Sequence, residues 1–171
     1  IRWSPDGKYI ACLSQAQSDS SNAVFVTRVS GGKLRQLTPD VEYKQRLEWH
    51  PDGKRITYHI SRFNSETRDA YLDGRPPRVL LDAPEVWDYE GARRPDGQQL
   101  FFTASTDNGW SLFLYDETSG KTALVDPRVE SVAGVPSWSR DGKTMAWTAT
   151  RTTPRQTWIM ENFLPKSKTS E

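Results

Sequence analysis

The chain has 171 residues, 23 of them basic and 22 acidic, for a formal net charge of +1, and only 35% of it is apolar. That balance, without any long block of like charge, excludes a sequence-wide electrostatic pull toward nucleic acid or an anionic membrane surface. No stretch approaches the roughly 18 consecutive apolar residues of a helical membrane span, so no membrane insertion is expected.

Elements follow in chain order. Ile1–Trp3 is a remnant of a first strand, a, and Ser4-Pro5-Asp6-Gly7 is a turn in which Pro5 presets φ and Gly7 takes the left-handed corner. Such a turn makes a three-residue hairpin loop with a bulge. Strand b follows at Tyr9–Cys12, strand c at Ala23–Val29, and after Gly31-Gly32 strand d at Lys33–Thr38. The same order then recurs. A loop over Pro39–Lys44 leads to Trp49, the turn His50-Pro51-Asp52-Gly53, and strands at Ile56–Tyr58, Ala70–Leu72 and Arg78–Leu81. Next come a loop over Ala83–Asp88, Arg93 in the tryptophan position, the turn Pro95-Asp96-Gly97, and strands at Leu100–Phe102, Ser111–Tyr115 and Lys121–Val125. The last unit has a loop over Asp126–Val132, Trp138, the turn Arg140-Asp141-Gly142, and strands at Met145–Trp147 and Gln156–Met160, with no evident strand d in Glu161–Glu171.

The Asp-Gly pairs begin at 6, 52, 96 and 141, spacings of 46, 44 and 45 residues. A unit of roughly 40–45 residues that reads a–turn–b–loop–c–turn–d is a four-stranded antiparallel meander, the blade of a β-propeller. The fold class is therefore all-β: four tandem four-stranded blades over about 1–39, 40–83, 84–127 and 128–164, with a polar tail at 165–171. A blade cannot bury both faces alone, which accounts for Trp3, Trp49 and Trp138 recurring before the turn.

The segments WSPDGKYIAC at 3–12, WHPDGKRITY at 49–58, RRPDGQQLFF at 93–102 and WSRDGKTMAW at 138–147, with the closing Leu37-Thr38, resemble the TolB-like propeller repeat. The resemblance implies a partner-binding propeller, a propeller beside a hydrolase domain, or a lyase, and a periplasmic or extracellular setting. Rings of that kind resemble six-bladed assemblies more often than four-bladed ones, so the chain reads as the C-terminal part of a larger ring whose open blade ends invite self-association. Two departures stand out: Arg93 for tryptophan, able to stack on a neighbouring ring, and Arg140 for proline.

Signals for chemistry are sparse. The two histidines, His50 at a turn and His59 at a strand end, offer no metal cluster, and His50 reads as a variable surface residue. The recurrent aspartates are explained by turns. There is no G-x-S-x-G elbow, and a pair such as Asp88 and Glu90 carries little weight among so many charged loop residues. Cys12, alone and without a nearby base, reads as a small core hydrophobe. Ser30-Gly31-Gly32-Lys33 reads as a hairpin turn, and Arg62, Arg68, Arg75 and Arg78 as solvated loops and strand edges more readily than as a basic patch. No cofactor and no metal are expected.

What remains is the propeller's loop face, where d–a and b–c connections converge. Tyr43, Arg62, Trp87, Asp107, Arg128 and Arg151 are its members best suited to grip a protein or peptide. The favoured function is a non-catalytic binding scaffold. The alternative is the propeller portion of a hydrolase or polysaccharide lyase whose catalytic elements lie largely elsewhere.

Overall fold

The computed structural model describes residues 1–14, 21–60, 66–82, 90–106, 109–125, 132–149 and 156–161. Among them there is no helix, and the strands form four separate antiparallel sheets in chain order. Sheet 1 holds β1 (Arg2–Trp3), β2 (Tyr9–Ser14), β3 (Ala23–Arg28) and β4 (Arg35–Gln36). Sheet 2 holds β5 (Lys44–Trp49), β6 (Arg55–Ile60), β7 (Glu66–Tyr71) and β8 (Arg78–Asp82). Sheet 3 holds β9 (Glu90–Arg93), β10 (Gln99–Thr106), β11 (Gly109–Asp116) and β12 (Lys121–Leu124). Sheet 4 holds β13 (Val132–Trp138), β14 (Thr144–Ala149) and β15 (Gln156–Glu161), three strands among the described residues. Each is a meander whose neighbours in space are neighbours in sequence, which is a propeller blade.

The turn between strands a and b is the same object four times. Gly7, Gly53, Gly97 and Gly142 have φ of 69°, 66°, 79° and 67°. Their amides donate to the carbonyls of Ser4, His50, Arg94 and Ser139. The aspartate before each glycine accepts from the amide two residues on, at Lys8, Lys54, Gln98 and Lys143. Both partners of the Asp-Gly pair are thus spent on the turn.

Hydrophobic clusters lie between blades. Ala11, Val24 and Val26 meet Leu47, Trp49, Ile56 and Tyr58 at the first seam, and Phe101 and Leu112 meet Met145, Trp147 and Ala149 at the third. At the second, Leu80 meets Leu100, Phe102 and Tyr115. The unbroken apolar run Leu100-Phe101-Phe102 follows from this: alternate side chains point to opposite faces, and both faces of this strand are covered. Where a tryptophan ends strand a, its indole N–H reaches the same strand of the preceding blade. Trp49 donates to the Arg2 carbonyl at 3.0 Å, and Trp138 to the Ala92 carbonyl at 3.3 Å.

Several expectations need correction. Strands β7 and β11 start earlier than their apolar cores, at Glu66 and Gly109, because backbone pairing continues through polar residues. In contrast, β4 is two residues long. Cys12 is half-buried rather than core. His50 is no surface residue but 6% exposed, and His59 is buried outright at 1%. Among the described residues Arg93 stacks on no ring, and the guanidinium over an indole is that of Arg94, 5.8 Å from the Trp138 ring. The tail at 165–171 lies outside the described residues.

Candidate binding face

The d–a and b–c connections leave the sheets at one end, marked by the paired positions Ser14 and Ala23, Lys44 and Ile60, Thr106 and Gly109, and Val132 and Ala149. Of the residues that the sequence nominates there, Tyr43 is described and is 36% exposed. Arg62, Trp87, Asp107, Arg128 and Arg151 lie outside the described residues.

Beneath Tyr43 the backbone is pinned by its neighbour. Lys44 is 1% exposed, and its ammonium gives one hydrogen bond each to the carbonyls of Asn22 and Pro39 at 2.8 Å and of Glu42 at 3.1 Å. Three N–H donors meet three carbonyls, so the buried charge is fully solvated by main chain. Burial still lowers the Lys44 pKa, with Glu42 and Asp40 pulling the other way. The Asn22 amide completes the clamp, donating to the Lys44 carbonyl at 2.8 Å and accepting from its N–H at 2.7 Å. The first blade therefore fixes where the second begins. Thr38 of the closing Leu-Thr pair is 2% exposed and accepts from the Val24 amide at 2.9 Å, which tethers the same loop from its other end.

Around this clamp Arg68 faces both Glu42 oxygens at 3.2 and 3.5 Å and Glu66 at 2.6 Å. Tyr58 lies beneath, its phenol pushed up to about 12 by burial. Val41, at 73% exposed, and Tyr43 stand outward from the stitched loop. Arg46 joins them. It is exposed, and its φ of 59° puts a non-glycine residue in the left-handed region, where β5 carries one residue more than β6 between the pairs Gln45–His59 and Glu48–Thr57. Bulges of this kind re-aim a side chain. Strand β13 is irregular at the equivalent place, between Ala133 and Ser137. Lys44 and Arg46 were not singled out from the sequence, since neither a caged lysine nor a left-handed arginine carries a local signal.

The opposite end of the second seam holds a buried ionic cluster. Arg93 fills the tryptophan position with its side chain 1% exposed, pairing with Glu117 at 2.6 Å and donating to Thr57 at 3.1 Å. Its backbone N–H donates to Glu48 at 3.2 Å. Glu117 also takes Arg78 at 2.8 Å, and Asp69, wholly buried, takes Arg55 at 3.0 Å and the Thr57 hydroxyl at 2.7 Å. Burial alone would raise the Glu117 pKa, but hydrogen bonds from Arg78 and Arg93 hold it below the ordinary carboxylate value. Glu48 is raised by burial. His50 touches the cluster through Nε2, 2.6 Å from Arg55 and 3.2 Å from the Gly97 carbonyl, while Nδ1 lies 3.0 Å from Asp52. The Asp52 backbone N–H also donates to Nδ1 at 3.1 Å, so the ring is held at both nitrogens. Burial, with Arg93 and Arg55 alongside, lowers the His50 pKa and keeps the ring neutral. Of the four arginines close in sequence, Arg62 lies outside the described residues and the others are ion-paired: Arg68 with Glu42, Arg75 with Asp73, Arg78 with Glu117. Among the described residues no group of three or more His, Cys, Asp or Glu side chains is placed to hold a metal ion.

No protein-family model matches the chain. It is 29% identical over 153 residues to an uncharacterized peptidase, YuxL, of Bacillus subtilis (strain 168), a match covering 88% of this chain and 22% of that protein. The chain thus spans about a fifth of the curated relative's length. Among solved structures it is similar to a puromycin hydrolase, with TM-score 0.75, 17% identity, and 94% of this chain and 26% of that one covered. It is likewise similar to TolB from Acinetobacter baumannii, with TM-score 0.72, 16% identity, and 91% and 39% covered. These likenesses agree with the four sheets and their seams: the chain folds as blades of a β-propeller, like those found in TolB and in propeller-bearing peptidases.

Proposed function

We propose that these blades are a non-catalytic scaffold that binds a peptide or a protein segment at the end of the sheets carrying Val41, Tyr43 and Arg46. The observation that carries this reading is the Lys44–Asn22 clamp, which holds an exposed aromatic and an exposed guanidinium on a hydrogen-bonded base. Preorganised anchors lose little freedom on binding, and Tyr and Arg are frequent interface hot spots. Selection of a displayed random-peptide library on the chain tests it. Enriched peptides should bind at least tenfold more weakly to the Tyr43→Ala/Arg46→Ala double variant. A library yielding no saturable binder, or binders indifferent to both substitutions, would refute it.

A second reading is favoured by the match to the YuxL peptidase. In it the bound segment is a peptidase substrate, and the blades serve as its accessory region. The two separate in the full-length protein, where peptide hydrolysis impaired by Tyr43→Ala would support the second and binding without hydrolysis the first.

A further inference from the structure

At the foot of the first blade, away from the clamp, a cleft of about 340 Å³ opens beside its c–d turn. Arg28, Lys33 and Arg35 line it, together with Tyr9 and the glycines of the Ser30-Gly31-Gly32-Lys33 turn. It is continuous, through Tyr9 and Arg28, with a second hollow reaching Lys8. The faces explain the gathering. Tyr9 pairs with Arg28 and Val26 with Arg35 in register, so these side chains share the face that turns toward blade 2. Tyr9 lies 6.5 Å from the Trp49 ring, and Arg35 crosses the seam to donate to the Leu72 carbonyl at 2.7 Å.

Much of the other described arginine charge is paired within the chain. Arg55, Arg68, Arg75, Arg78, Arg93 and Arg94 each have a carboxylate partner. Arg28, Lys33 and Arg35 have none among the described residues, and no lining residue of either hollow is acidic. Lys8 alone pairs, with Asp6 at 3.6 Å on the exposed rim. Arg28 is held with its guanidinium 5.8 Å from the Tyr9 ring centre, and Arg35 by one hydrogen bond to Leu72, so among the described residues most of the five N–H donors of each are unspent. Gly31 and Gly32 have φ of 98° and 135°, with nothing within 4 Å of where a Cβ would stand, so a ligand can approach the main chain closely. Three exposed like charges line one cleft, and an anion placed among them would be attracted by all three. A guanidinium fork matches the oxygens of a tetrahedral oxyanion.

The geometry points to a binding site for a multiply charged oxyanion of the phosphate type in this cleft, held by Arg28, Lys33 and Arg35. The site is independent of the peptide-binding reading and lies at the other end of the sheets. The test is calorimetric titration of the whole chain with inorganic phosphate and with phenyl phosphate, at fixed ionic strength made up with chloride. Saturable binding that the Arg28→Gln/Lys33→Gln variant weakens at least tenfold, and that Arg140→Gln on blade 4 leaves unchanged, supports the site. Phenyl phosphate binding tenfold tighter than phosphate would identify a phosphomonoester as the ligand, and equal affinity the free oxyanion. The site is overturned by a response that chloride alone reproduces, or by one that Arg140→Gln lowers as much as the double variant. Circular dichroism of both variants confirms that they fold.

Discussion

Gly97 and Gly53 occupy the same corner of successive turns, yet they face different surroundings. A Cβ on Gly53 would meet nothing within 4 Å, whereas one on Gly97 would stand 2.7 Å from Cε1 of His50. Both substitutions to alanine incur the left-handed penalty of about 1–2 kcal/mol. Gly97→Ala must also displace a ring that bonds to Arg55, so its urea midpoint should fall clearly below that of Gly53→Ala. His50 itself predicts a pH dependence. Its folded pKa is lowered, so its contribution to stability is complete above the unfolded value of about 6.5 and is lost as pH falls below that value toward the folded one. Glu48, raised by burial, works in the opposite sense at lower pH. Urea titrations at pH 7.5 and 5.5 should show a smaller loss of stability in His50→Ser, which restores the residue found at Ser4 and Ser139, than in the unsubstituted chain.

Elements meet at seams, and the seams are of two kinds. Two are closed by an indole N–H on a carbonyl, and Trp49→Phe or Trp138→Phe should each cost about 1 kcal/mol by removing one hydrogen bond. The middle seam is closed by Arg93 with Glu117, Thr57 and Glu48. Restoring the repeat by Arg93→Trp should therefore destabilise the protein, by about 1.5–3 kcal/mol, because Glu117 would lose one charged hydrogen-bond donor while keeping Arg78. Chemical denaturation of the three variants checks the order. If Arg93→Trp proved neutral or stabilising, the cluster would not be holding the seam. This seam also shows where sequence reading stops. The turn and strand order were legible because Pro, Asp and Gly act through their own backbone, and so does the alternation that buries Phe101 against one blade and Phe102 against another. Arg93 was visible only as a departure, since its partners stand 24 and 36 residues away in sequence and nothing local encodes them. The binding face was legible at Tyr43, by its place in a connection. Lys44 and Arg46 were not, because a buried lysine needs carbonyls from Asn22, Pro39 and Glu42.

At the scale of the molecule, each blade is covered by its neighbours in sequence, so stability is a sum of blade and seam terms. Trp3 holds the position of Trp49 and Trp138 but is 59% exposed, beside Ile1 at 81%, where Trp49 is 7% exposed. In the 171-residue chain taken by itself, an aromatic exposed in this way should draw a second copy. Sedimentation equilibrium should show concentration-dependent association, and Trp3→Ser should weaken it. The Arg93 cluster bears on the same hazard from another side. A chain of near-identical units can assemble wrongly, one blade docking on the partner meant for another, and apolar faces closed by the same indole contact would tolerate the mistake. Arg93, Glu117 and Asp69 do not. Any blade other than the second, set against the third, leaves the Arg93 guanidinium without Thr57 and its backbone N–H without Glu48, and any blade other than the third, set against the second, leaves Arg55 and Arg78 without Glu117. The cluster thus works as an address that admits one neighbour, and it lets a repetitive chain find a single order of assembly.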